Sequence, residues 1–496
     1  MRLEILIKSL GIRLPERSPD FDVRGITQDS RKVRDNFVFI AVRGVNFDGH
    51  EFIKEAIQKG ARAIIIQDNR YQIANNRDIV WINVPDTRHA LAQLISEFYG
   101  HPSLKMKVVG ITGTNGKTTI SYLIEAILKS AGFNPAVIGT INYRFKDKIF
   151  EASNTTPGSE DLQALLAQMH KEKVDYVIIE VSSHALDQER VNTVKFSCAI
   201  FSNLSVDHLD YHGNLESYFT TKSRLFRVLT RDNFAILNVD DPRADELIKL
   251  TKAQVITYGL NNNADISAEE ISYTLKGTEF FLRLNSSKIK IFSANLDRVK
   301  IKTPLIGNYN VYNILAAIGF ALIYKIDSKI IQKAMEGFKG VPGRLERIPT
   351  KSDFYIFVDY AHTEDALRNV ITALRALCKG HIYVVFGCGG NRDRSKRPKM
   401  GRAVSELADF AIVTTDNPRD EKPEDIISDI ISGIERQNFK VILERKEAIK
   451  EALSLAKNND IILIAGKGHE DRQIFKDRVI RFDDREVVWE CLGLNR

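Results

Sequence analysis

The stretch VVGITGTNGKTTISYLIEAIL, Val108 to Leu128, constrains this chain more than any other. An apolar run meets Gly113 and Gly116, then Lys117, two threonines and an amphipathic segment. Glycines there let backbone N–H groups converge on phosphate oxygens, aided by the N-terminus of the following helix. Lys117 can reach the β- and γ-phosphates, and Thr118 can place its hydroxyl on a magnesium ion. The formula G-x-x-x-x-G-K-[ST] is not strictly met, because Ile111 stands at its first position. Strand, glycines, Lys-Thr and helix in register still predict nucleotide binding over the competing reading, an ordinary strand-to-helix turn.

At 496 residues the chain is too long for one core, and about three domains are expected. No apolar run reaches the roughly 18 residues that a membrane span needs. The start, MRLEILIKSLGIRLPERSPD, is broken by charges and has no signal-peptide pattern. Cys198, Cys378, Cys388 and Cys491 are scattered, which indicates neither a disulfide framework nor a zinc site. A cytoplasmic protein is expected. The net charge of +7 suits anionic small substrates, and no Lys/Arg tract with interleaved aromatics points to nucleic acid.

Residues 1–101 alternate short apolar runs (FVFIAV, ARAIIIQ, DIVWINV) with helical stretches, closing on DTRHALAQLISEFYG; HPSLKMK reads as a linker. Within 102–339, VDYVIIEV, FSCAIFSN and FAILNV are nearly continuous apolar runs, as in parallel strands covered on both faces. Between Ala264 and Leu305 the texture changes to EFFLRLNSSKIKIF, an expected antiparallel insertion. GVPGRLERI reads as a hinge into 340–496, where DFYIFVDYAH, HIYVVFGCGG, FAIVTTDNP and DIILIAGKGHE predict four strands ending in polar residues. In open α/β sheets ligands sit at those ends. The expected class is α/β with three domains, the last Rossmann-like.

Further motifs follow in order: EVSSHALDQERV, SNLSVDHLDYHG, YFTTKSRLF, GNYNVYNILAA, GVPGRLE and VDYAHTEDAL. With TGTNGKTT they resemble the Mur ligase family over nearly the whole chain. NTTPGS, VFGCGGNRDRSKRPKMG, DNPR and GKGHE resemble those members that add the third peptide residue to UDP-N-acetylmuramoyl-L-alanyl-D-glutamate. The resemblance implies three substrates: ATP, that nucleotide dipeptide and an amino acid. Phosphorylation of the D-glutamate carboxylate would give an acyl phosphate, which an amine then attacks. A monomer is expected.

The residues carry that chemistry on their own terms too. Glu180 ends an apolar strand, as a magnesium-orienting carboxylate should, though a strand-end salt bridge would look the same. The resemblance implies two Mg²⁺ ions, with Thr118, Glu180, His208 and Lys222 as ligands. Lone histidines and helical lysines are usually structural or solvated. The family lysine matching Lys222 carries a CO₂-derived carbamate (N6-carboxylysine), an anionic metal ligand that requires a neutral amine. Lys117, Glu180, His208 and Lys222 are the catalytic candidates. ATP binding is expected from Gly113, Thr114, Asn115, Gly116, Lys117, Thr118, Thr119, Asn310, Asn313, Arg344 and Asp359.

The nucleotide dipeptide is assigned to Ser30, Asn46, Phe47, Asp48, Asn154, Thr155, Thr156, Ser182, Gln188 and Arg190, where an arginine suits an anionic acceptor. Arg392, Asp416, Asn417, Pro418, Arg419, Gly466 and Glu470 are the expected amino-acid site. In resembling ligases DNPR accompanies meso-diaminopimelate. Its distal carboxylate, which lysine lacks, can be held bidentately by a guanidinium, and Glu470 suits the distal ammonium. Three alternatives are an L-lysine-adding ligase, a folylpolyglutamate synthetase-like ligase, and a non-catalytic ATP-binding protein. Glu364 stands where the family commonly has proline.

Overall fold

The computed structural model describes residues 1–14, 18–44, 47–72, 78–261, 263–285 and 298–493. They fall into two compact units. Met1–Thr112, Phe133–Ala199 and Arg224–Asn233 form the first; Gly113–Gly132, Ile200–Ser223 and Phe234–Arg496 form the second.

In the first unit, strands Gly25–Thr27, Phe37–Ile40, Ala61–Ile66 and Val80–Asn83 pair in sequence order, all parallel. Alternation sends Val38, Ile40, Ala63 and Ile65 to one face, packed with Leu91, Leu94 and Ile95 of helix Thr87–Phe98. Phe39, Ile64 and Ile66 go to the other, against Ile53 and Ala56. Both faces are covered, which is why the strands read as continuous apolar runs. Asp86 caps the helix by accepting from Arg88 N and His89 N.

The same unit holds Lys107–Thr112, which pairs parallel with Tyr176–Glu180; that strand pairs parallel with Pro135–Ile138. Two antiparallel strands, Asn142–Phe145 and Lys148–Glu151, follow. The expected linker HPSLKMK is instead folded. Pro102–Lys105 is a 3₁₀ turn with Pro102 and Ser103 buried, and Ser103 Oγ accepts from Lys195 N. Proline at the first position presets φ for such a turn.

In the second unit, Phe234–Asn238 pairs parallel with Gln254–Tyr258. The expected antiparallel insertion is present: Ile266–Thr274 pairs with Gly277–Leu284, and that strand with Lys300–Thr303. Residues 286–292 of the quoted stretch lie outside the described residues. Helix Asn308–Ile323 is buried on nearly every side, Asn310 and Asn313 included.

The unit's second sheet has six strands in the order Glu346–Ile348, Tyr355–Asp359, Ile461–Ala465, Ile382–Phe386, Phe410–Val413, Phe439–Val441. All neighbours are parallel except the first pair. The four expected strands are its centre, and the two three-residue edges are additions. Glu346–Ile348 comes out of the stretch read as a hinge. The chain inserts Ile461–Ala465 between two earlier strands, creating a switch point whose crevice lies beyond the carboxyl ends. Apolar clusters cover both faces.

Candidate active site

In the second unit the loop Gly113–Gly116 leads into helix Lys117–Ser130. Gly113 has φ +145° and Gly116 +89°; an added Cβ would collide with Ser202 Oγ at the first and Asn313 Oδ1 at the second. Both positions therefore require glycine. Asn203 pins the loop: its carbonyl accepts from Thr114 N (2.9 Å) and its side-chain oxygen from Asn115 N (2.9 Å). Thr114 Oγ1 accepts from Ser205 N at 3.0 Å. Lys117 Nζ donates to the carbonyls of Gly113 (2.9 Å) and Thr114 (2.8 Å).

Helix Leu215–Arg227 brings Lys222 to the same loop. Lys222 is buried, and its Nζ donates to Gly113 O at 2.9 Å, with the ring of Tyr218 4.4 Å away. Burial first, then the Lys117 charge, drives its pKa well below the usual lysine range. His208, at φ +54°, lies beside Asp207, with Nε2 3.4 Å from Oδ2. Burial opposes the charge on Asp207, yet His208, His362 and Lys396 hold its pKa low.

The same unit gathers the other nucleotide candidates. Thr118 and Thr119 are buried in the first helical turn. Asn313 Nδ2 donates to Asn310 Oδ1 at 3.0 Å, and Asn310 Nδ2 to Ile306 O at 2.8 Å. Arg344 Nη2 donates to Thr118 Oγ1 at 3.3 Å, its guanidinium 4.3 Å from the Tyr360 ring. Asp359, its pKa raised by burial against Arg344, accepts from Leu345 N and Ala361 N.

At the carboxyl ends of the six-stranded sheet a second group converges. Gly389 is flanked by both arginines: a Cβ there would lie 2.9 Å from Arg419 Nη1 and 3.9 Å from Arg392 Cγ. Arg419, at φ +53°, donates through Nη1 to Gly390 O at 2.7 Å. Burial and then Arg392 lower its pKa, while Asp416 and Glu470 oppose them. Asn417 Nδ2 donates to Glu470 Oε2 at 2.7 Å. Gly466 has φ +111°, and a Cβ on it would meet Asp416 Oδ2 at 2.7 Å. Pro418 abuts the same loop through Gly390.

In the first unit, Glu180 is buried at its strand end and accepts from Thr140 N (3.2 Å) and Thr140 Oγ1 (2.9 Å). Around it are Thr155, whose Oγ1 is 3.1 Å from Thr140 Oγ1, and Thr156, which donates to Glu180 O at 2.7 Å. Thr156 Oγ1 also accepts from Ser182 N, and Thr156 O from Arg190 Nη1 at 2.8 Å. Arg190 donates to Gln188 Oε1 at 2.7 Å, and Asn154 O accepts from Tyr143 OH. Ser30 Oγ donates to Glu55 Oε2, Asp48 Oδ1 accepts from His50 N, and Phe47 is exposed. Asn46 lies outside the described residues.

Residues 22–99 match the Mur ligase family catalytic domain, 111–321 the Mur ligase middle domain and 343–468 the Mur ligase glutamate ligase domain. The UDP-N-acetylmuramoyl-L-alanyl-D-glutamate–2,6-diaminopimelate ligase of Syntrophomonas wolfei is 42% identical over 497 residues, covering 99% of each chain. The chain belongs to the Mur ligase family. The like-named ligase of Halalkalibacterium halodurans is 42% identical, covering 95% of this chain and 94% of its own. A solved ligase of that name superposes with TM-score 0.70 at 33% identity, covering 99% of both chains. The MurF ligase of Thermotoga maritima in complex with ADP shares the fold, at TM-score 0.62 and 20% identity, covering 95% of this chain and 97% of its own.

The structure gives Glu364 a favourable place at a helix start. Glu364 is the first residue of helix Glu364–Arg375, capped by Thr363, whose Oγ1 accepts from Ala366 N. That position accepts proline or an acidic side chain equally well, since its N–H needs no helical partner. The family motifs also hid Lys467, buried between Asn417 and Glu470; the string GKGHE was its only sequence signal. Among the described residues no group of three His, Cys, Asp or Glu side chains forms a metal site. The expected donors instead mix a hydroxyl, a carboxylate, an imidazole and Lys222, whose depressed amine pKa fits the neutral form that carbamylation requires. No helix among the described residues is long and apolar enough to cross a membrane.

Proposed function

We propose that this Mur ligase joins meso-diaminopimelate to the D-glutamate of UDP-N-acetylmuramoyl-L-alanyl-D-glutamate, using ATP, in cytoplasmic synthesis of a peptidoglycan precursor. The observation that carries the choice of amino acid is the group at the sheet ends. Arg392 and Arg419 flank Gly389, and Asn417 links that side to Glu470. Paired guanidinium groups suit a distal carboxylate, and a carboxylate suits the ammonium beside it. L-Lysine would leave the arginines without a partner. Relatives 40–42% identical over nearly their whole length carry the name of the diaminopimelate-adding enzyme.

The chain's own groups fit each step. The γ-carboxylate of D-glutamate attacks the γ-phosphate of ATP, and the P–O bond to ADP breaks. Lys117, with the N–H groups in the first turn of helix Lys117–Ser130, neutralises charge on the transferring phosphoryl group. The free amine then attacks the acyl carbon, loses its proton and expels inorganic phosphate. Arg190, Thr155, Thr156, Ser182 and Gln188 are assigned to the acceptor, and Asn310, Asn313, Arg344 and Asp359 to the nucleotide. Thr118, Glu180, His208 and carbamylated Lys222 would hold two Mg²⁺ ions, which supply Lewis-acid neutralisation of the triphosphate when bound. Lys222 suits the carbamate because a neutral amine can add to CO₂, forming an N–C bond and releasing a proton.

We assign the uridine nucleotide to residues 1–101, with Ser30 and Asn46 to Asp48, ATP to 102–339 and the amino acid to 340–496, in a monomer. Phosphate release requiring both acceptor and meso-diaminopimelate tests the reading. Release indifferent to either would refute it.

A further inference from the structure

We infer that Lys467 is a positioning residue of the amino-acid site, fixing Asn417 and Glu470 so that one carboxylate oxygen of Glu470 is presented to the substrate ammonium. The inference rests on the diaminopimelate reading above.

Lys467 lies between Gly466 (φ +111°) and Gly468 (φ +55°), just after strand Ile461–Ala465. Left-handed backbone on both sides makes the turn that sends its side chain inward, where exposure falls to 0%. A lysine ammonium has three protons to donate. Nζ lies 3.2 Å from Asn417 Oδ1, 3.2 Å from Glu470 Oε2 and 2.7 Å from Arg472 O. Three donors meet three acceptors, so no proton remains for a substrate. Lys467 therefore acts through its neighbours.

Those neighbours are fixed as a result. Asn417 Oδ1 also accepts from Ile474 N at 3.0 Å, which sets the amide orientation and turns Nδ2 toward Glu470. Two donors, Asn417 Nδ2 and Lys467 Nζ, thus converge on Glu470 Oε2. Among the described residues, Oε1 carries no protein hydrogen bond, and the Glu470 side chain is 30% exposed. The buried cation holds one oxygen and leaves the other for the ligand.

The test is steady-state kinetics of Lys467→Met and Lys467→Gln, each checked by thermal melting, with Glu470→Gln and the double variant Lys467→Met/Glu470→Gln. We expect KM for meso-diaminopimelate to rise about ten- to a hundredfold, the range for a lost charge-assisted hydrogen bond. KM for ATP and for the nucleotide dipeptide should stay within about twofold, and the double variant should cost little more than Glu470→Gln alone. If Lys467→Met fails to fold, Lys467→Gln carries the same comparison. An equal rise in all three KM values, an unchanged KM for the amino acid, or additive losses would overturn the inference. Wild-type enzyme unable to use meso-diaminopimelate would instead refute the underlying reading.

Discussion

Lys117 and Lys222 donate to the same carbonyl oxygen, that of Gly113, each at 2.9 Å. Two ammonium groups so close, one of them fully buried, cannot both hold a proton cheaply. The direction of the Lys222 pKa follows from that arrangement.

Lys222→Ala should keep its fold and lose most ligase activity, because the proposed carbamate would be gone. A small carboxylate such as acetate should restore part of the turnover. Near-normal turnover of the alanine variant would return Lys222 to a purely structural role.

Lys117→Ala should cost about 3 kcal/mol or more of transition-state stabilisation, the range for an oriented charge donor in an enclosed site. The readout is kcat/KM for ATP. Wild-type enzyme with ATP and acceptor but no amine should turn over only slowly. Rapid hydrolysis without acceptor would favour a plain ATPase.

Arg419→Ala should weaken use of meso-diaminopimelate by about 2–5 kcal/mol, as expected when one partner of a desolvated charge pair is removed. Arg419→Lys should recover little, since a point charge cannot reproduce the planar fork. ATP and the nucleotide acceptor should bind either variant almost normally.

His362 predicts an acid limit to stability. Burial, then the Lys396 charge, lowers His362 to about 4, and its Nδ1 donates to Tyr360 O at 2.8 Å. The unfolded chain takes up this proton near the ordinary value of 6.5, so the native state loses stability as pH falls from about 6.5 to about 4. His362 should account for up to about 3 kcal/mol of that loss. Urea unfolding across this range should show a shallower pH dependence for His362→Gln than for wild type.

Asp484→Asn should destabilise the second unit by about 3–5 kcal/mol, because it strips the counter-ion from a buried arginine. Arg445 Nε and Nη2 donate to the Asp484 carboxylate at 2.7 and 2.8 Å, both side chains at 0% exposure. Arg445 Nη2 also holds Ala465 O at 3.0 Å, just before Gly466. Denaturant midpoints would measure the loss.

The sequence made the central strands and the phosphate loop plain, because Ile461–Ala465 and Phe37–Ile40 are apolar throughout and Gly113 and Gly116 stand where only glycine fits. Edge strands such as Phe439–Val441 were not legible: three half-exposed residues carry no periodic signal. Pro102–Lys105 read as a linker because one 3₁₀ turn is too short for a hydrophobic pattern. Arg392, Asn417, Arg419 and Glu470 are legible through VFGCGGNRDRSKRPKMG, DNPR and GKGHE, with spacing that says nothing of their convergence. Lys467 escaped because a lysine between glycines looks solvated, and only the folded turn drives it inward.

The most direct measurement of the central claim is phosphate release from ATP with UDP-N-acetylmuramoyl-L-alanyl-D-glutamate, comparing meso-diaminopimelate with L-lysine. Release should depend on the acceptor and should be far faster with meso-diaminopimelate, because L-lysine brings an ammonium to Arg419 where a carboxylate belongs. Equal efficiency with L-lysine would contradict the amino-acid assignment, and release needing no acceptor would contradict the ligase itself.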